Sequence, residues 1–174
     1  METRVLFKYV EEVRRECGLA RMAAGELRTA LAALDPVRAS LFVRSLLTHA
    51  VAVSRLLWPE RVESAARGAT LRQELKVPDP SPLQLATLRK HTSRPDETYE
   101  DWLQRLPEPN YLEFNVMPAG TMSGSKEDTF QAALDPDTLE FTLRGDRASL
   151  AQVNEALRLL DTACERWLRT HNPW

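Results

Sequence analysis

At 174 residues, with 43% hydrophobic and 28% charged side chains, the chain is long enough to bury one core without disulfides or a structural metal, and its composition excludes disordered and collagenous classes. A net charge of −2, from 23 Lys and Arg against 25 Asp and Glu, singles out no partner by bulk charge. No signal-like apolar segment opens the chain and no uninterrupted run of 18 apolar residues occurs, so a cytoplasmic protein with no membrane contact is expected.

Charge is unevenly spread. Residues 1–105 carry 17 bases and 14 acids, whereas residues 106–174 carry 6 and 11. Nineteen of the 23 bases are Arg, a residue suited to bidentate phosphate contacts, although a GC-rich genome produces the same excess.

In chain order, Leu6, Val10, Val13, Cys17, Ala20, Ala24, Leu27, Leu31 and Leu34 recur at spacings of four and three, which predicts one long helix. It ends at Asp35-Pro36, where Asp caps and Pro opens a second helix over 36–58. Phe42, Leu46, His49, Val53 and Leu56 form that helix's seam. The short connection makes the two an antiparallel hairpin. His49 reads as a core residue satisfied by one hydrogen bond to a nearby carbonyl. A third helix is expected over 59–76, with Gly68 as its weak point.

Three alternating prolines make 77–82 a rigid loop. Ser81 then caps a helix carrying Leu83, Leu85, Leu88 and Arg89, which breaks at Pro95 and resumes over 96–106 with Tyr99, Trp102 and Leu103 facing inward. Pro107 and Pro109 end it. From there the apolar period changes to two, over 111–117, 129–134 and 138–143, predicting a small antiparallel sheet of two or three strands with a turn at Asp135-Pro-Asp-Thr138. The Gly- and Ser-rich stretch 118–128 is expected to be a mobile loop, and its Gly120 and Gly124 fit no phosphate-binding pattern. Ser149 caps a last helix whose stripe is Leu150, Val153, Leu157, Leu160, Cys164 and Trp167. The expected fold is mainly α: an antiparallel up-and-down helical bundle with a long N-terminal helical hairpin and a small antiparallel β hairpin before the last helix. It forms a single domain, 1–174, divided into a helical core (1–106), a small β insertion (110–145) and a closing helix (148–171).

Three histidines, His49, His91 and His171, and two distant cysteines offer no metal-ligand spacing, and dinucleotide, P-loop and nucleophile-elbow patterns are absent, so neither metal nor cofactor is expected. Cys17 and Cys164 sit on apolar seams, where a thiolate is disfavoured. The chemistry concentrates between Leu83 and Trp102. There Arg89, Lys90, His91 and Arg94 meet Asp96, Glu97, Glu100 and Asp101 across Pro95.

The organisation resembles bacterial HEPN-type proteins of the abortive-infection and toxin kind. The resemblance is carried by the hairpin ending in Ser54-Arg-Leu-Leu-Trp-Pro59, by Arg67-Gly-Ala-Thr-Leu-Arg72, by the Arg cluster followed by Asp96-Glu97 and Trp102, by the Asp135-Pro136 hairpin and by the last helix. It implies a helical core, a two-fold homodimer with a composite site, and metal-independent RNA cleavage by an Arg and a His four to six residues apart. The sequence departs from that spacing, because His91 is only two residues beyond Arg89. The pairs Arg44–His49 and Arg166–His171 match it no more often than chance allows. The expectation is therefore a degenerate site, with Arg89 and Arg94 binding phosphate, Asp96, Glu97 and Trp102 as a structural cluster, and RNA, or a partner such as a cognate antitoxin, as ligand in phage defence or stress response. The alternatives are an RNA-cleaving toxin, with Arg89 and His91 as catalytic residues or His49 in place of His91, and a non-catalytic interaction module. Protonated His91 would add a third donor, tightening binding below about pH 6.5.

Overall fold

The computed structural model describes residues 2–106, 113–118, 121 and 130–172. Outside these lie Pro107, Pro109, the first two residues of the strand expected from Tyr111, Gly120, Gly124 and most of the expected loop, and Thr129. The described elements are α1 (Thr3–Ala32), α2 (Pro36–Leu57), α3 (Ala65–Glu74), α4 (Ala86–Ser93), α5 (Pro95–Arg105), β1 (Asn115–Val116), β2 (Ala132–Leu134), β3 (Glu140–Leu143), β4 (Asp146–Ser149) and α6 (Leu150–Thr170). The fold is mainly helical, with a small sheet before the last helix.

The central element is α1. Its Glu16 and Glu26 bind His49 and Arg38 of α2, so the two helices are antiparallel. Its Arg21 binds Asp161, and its Phe7 ring lies 6.3 Å from that of Trp167, so α6 is antiparallel to α1 as well. The core lies along both contacts. Small residues on the buried faces, Ala20, Ala23, Ala24, Ala39 and Ala50, let the helices approach.

The hairpin turn differs from expectation in detail. α1 stops at Ala32, and Leu34, placed on the seam by its spacing, is left-handed (φ 53°) and 88% exposed. Asp35 caps α2 as expected, its carboxylate accepting from the Arg38 N–H at 3.0 Å, with Pro36 at the first position. The buried stripe of α2 is Ala39, Val43, Leu46, Ala50, Val53 and Leu57, so Phe42, His49 and Leu56 form its half-buried edge. His49 meets a carboxylate, Glu16 at 2.8 Å, rather than a carbonyl. By length and composition α2 could cross a membrane, but 44% of its apolar window is buried inside the protein.

The third helix begins only at Ala65, after one 3-10 turn (Val62–Ser64). Gly68 is a point of contact rather than of weakness: a Cβ there would lie 2.4 Å from the Pro59 ring and 2.7 Å from the Leu57 carbonyl oxygen. Ser81 caps another 3-10 turn, Pro82–Gln84, not the α-helix itself. Leu85 follows in the left-handed region (φ 45°), and α4 starts after it. The expected break is present, with Pro95 as the first residue of α5. Trp102 faces inward at 4% exposure, Leu103 is half-buried, and Tyr99 is exposed at 38%.

The sheet order is β1-β2-β3-β4, and β1 pairs with β2 in parallel, correcting the wholly antiparallel expectation. β2, β3 and β4 are antiparallel neighbours. The β2–β3 turn is the expected one, Asp135 accepting from the N–H groups of Asp137 and Thr138 at 2.8 and 3.1 Å. The fourth strand was not expected. Arg144 and Gly145, at φ 52° and 90°, form the tight turn into it, because a two-residue loop matches strand twist when both φ values are positive.

Candidate functional site

The fold disperses the cluster that the sequence places around Pro95. Arg89 and His91 are two residues apart on one helix, about 200° around its axis, and they reach different elements. Arg89 is buried and its guanidinium donates to Glu60 at 3.0 Å. His91 is buried against β4, its Nε2 2.7 Å from the Asp146 carboxylate. Arg94 is exposed and, among the described residues, pairs with Glu97 at 3.5 Å. Asp96 and Glu97 occupy the first turn of α5, where the helix dipole favours acids, and Trp102 packs beneath with Tyr99 at 5.8 Å. His49 lies with Glu16 on the α1–α2 contact.

The structure assembles instead a site centred on His91. Asp146 binds both the imidazole and the Lys90 ammonium, the latter at 2.8 Å. Burial lowers the His91 pKa below its ordinary value, outweighing the hydrogen bond and charge of Asp146, which act the other way. Burial also opposes ionisation of Asp146, but the hydrogen bonds and charges of Lys90 and His91 prevail and hold its carboxyl below the usual range. An ionised Asp146 accepts a hydrogen bond from the His91 Nε2–H, which leaves Nδ1 of the neutral ring as an acceptor. That Nδ1 is buried and has no hydrogen-bond partner among the described residues.

Beside His91 is a cavity of about 250 Å³ enclosed by α2, α4, Phe114 and the sheet. Arg144, on the turn between β3 and β4, lines it as well. Its guanidinium donates to the Pro95 carbonyl and the Thr98 hydroxyl, both at 2.6 Å, and stacks over Tyr99, while its buried Nε has no partner. Burial lowers the Arg144 pKa, and the like charge of Arg44 adds to this, although Tyr99 opposes it. Arg44 is exposed, lines the same cavity and pairs with no described carboxylate. A hollow of about 440 Å³ lies on the other side of His91, lined by Lys90, Thr98, Asp101, Gln104 and Arg105.

Sequence reading missed Arg55, Arg144 and Asp146, and weighed Arg44 only as a partner for His49. The one available signal was Arg144-Gly145, a turn pair, because the others are joined to α4 only by tertiary contacts. Arg55 reaches across from α2 to the hydroxyls of Thr92 and Ser93. Among the described residues no group of three or more His, Cys, Asp and Glu is placed to hold a metal. Burial raises both thiol pKa values, that of Cys164 to about 12, which keeps the sulfurs protonated and unreactive. No family model, curated protein or solved structure matches the chain.

Proposed function

We propose that this is a HEPN-like helical bundle that binds RNA without cutting it, in bacterial defence or stress response. One observation carries the reading: Arg89 and His91 are committed to carboxylates on different elements, Glu60 and Asp146. Cleavage by such a pair requires a guanidinium on the phosphorane charge and an imidazole moving a proton at the same phosphate. A buried Arg held by Glu60 and a His side chain only 4% exposed do not supply that geometry.

RNA contact is assigned to the edge of α2 that faces α4. Arg44 and Arg55 are eleven residues apart, three helical turns or roughly 16 Å, and so share one face. Neither pairs with a described carboxylate, and Thr92 and Ser93 add hydroxyls beside Arg55. Guanidinium and hydroxyl donors in this arrangement suit a phosphate backbone. The bases Arg89, Lys90, His91 and Arg94 are held by carboxylates, so the proposed homodimer is assigned to the tip of the α1–α2 hairpin, where Leu34, Val37 and Leu41 are 88, 78 and 60% exposed.

Incubation with total RNA and no added metal is expected to leave the RNA intact. Affinity is expected to fall steeply with salt, and Arg55→Ala to reduce the salt slope by about one. Weak, salt-insensitive binding by native protein and variant alike would favour a protein partner, such as an antitoxin. Metal-free cleavage lost in Arg89→Ala would restore the nuclease.

A further inference from the structure

We propose that the cavity between α2, α4 and the sheet binds a small organic acid: an apolar body carrying one carboxylate. Val43, Leu47, Val51, Leu88, Phe141 and Leu143 supply walls that suit an aliphatic or aromatic body. Its charged and titratable lining, among the described residues, consists of Arg44, His91 and Arg144, with no acid to balance them. Two of these side chains carry buried polar atoms without partners, Nδ1 of His91 and Nε of Arg144. Native interiors leave few such atoms unpaired, and both belong to residues lining one cavity that is open to a ligand. A carboxylate there lies beside the Arg144 guanidinium, meets the Arg44 charge at the rim, and gains a third cation once His91 takes up a proton.

Burial is the largest influence on proton uptake and opposes it, and the groups around the ring add to or offset this. Asp146 faces it from β4 and favours the charged form, while Lys90 on α4 and Arg144 on the turn oppose it. Arg44 lies across the cavity, and Asp101 and Arg105 of α5 line the hollow behind. A bound carboxylate adds a negative charge to this set, so binding and protonation reinforce one another. The inference does not rest on the RNA reading, with which it shares Arg44 and Thr92.

Octanoate and octan-1-ol, titrated calorimetrically into the full chain, test it. Octanoate is expected to bind at least about tenfold more tightly than the alcohol, the size of one charge-assisted contact. Arg44→Gln, at an exposed position, is expected to weaken octanoate several-fold without moving the melting temperature. Octanoate affinity is expected to rise as pH falls below about 6.5, and His91→Gln to remove that rise. No octanoate binding at millimolar concentration, equal binding of acid and alcohol, or a preference for adenosine monophosphate would each overturn the proposal.

Discussion

His91 and Asp146 make stability depend on pH in one direction. In the unfolded chain the imidazole titrates near 6.5, and in the fold its pKa is lower, so acid favours the unfolded state. The contribution is whole above about pH 6.5 and is lost as pH falls towards the folded pKa. Asp146 follows at lower pH, because its depressed pKa gives stability that is present above its ordinary 3.8 and lost below it. The native melting temperature is therefore expected to fall between about pH 7 and pH 5, and His91→Gln to flatten that slope. The same lowered pKa moves any third donor from His91 to more acidic conditions than the sequence suggests. His49→Ala is expected to cost about 1–3 kcal/mol by chemical denaturation, since it leaves the buried Glu16 carboxylate without its partner on α2. The sequence set His49 on an apolar seam, although in the fold it belongs to the half-buried edge of α2. It could not reveal Glu16 as the partner, nor Glu60 and Asp146, which are 29 and 55 residues from the side chains they hold.

At the scale of elements, three glycines in helices separate intrinsic propensity from packing. Gly18 and Gly25 of α1 have open space where a Cβ would go, so Gly18→Ala and Gly25→Ala are each expected to gain about 0.5–1 kcal/mol. At Gly68 the same change drives a methyl into the Pro59 ring and the Leu57 carbonyl, and overpacking of that kind costs about 1–3 kcal/mol. Packing wins, so Gly68→Ala is expected to destabilise. Urea midpoints of the three variants decide both signs. The long helices were legible because their apolar period extends over many turns. The stripe of α2 was misplaced by one edge, since its contact with α1 uses Ala39 and Ala50 while the larger Phe42 and Leu56 sit half out. β4 was illegible. Asp146-Arg-Ala-Ser149 has no alternating apolar pattern, and its pairing with β3 rests on backbone hydrogen bonds and a turn of positive φ.

At the scale of the molecule, the proposed homodimer carries its own test. Light scattering at micromolar concentration is expected to give twice the 19.8 kDa chain, and Val37→Asp with Leu41→Asp to return it to one chain without loss of helicity. A native mass near 20 kDa would remove the dimer. The position of α1 between α2 and α6 has a further consequence, for the order in which the structure opens and closes. The α1–α2 contact joins neighbours in sequence across a turn of a few residues, so it forms early and locally. The α1–α6 contact closes a loop of some 140 residues, as between Arg21 and Asp161, so the α6-facing side of α1 waits for it. Native-state hydrogen exchange should therefore resolve two units. The last helix and the sheet exchange through a partial opening of lower free energy, and the hairpin exchanges only when the whole chain unfolds.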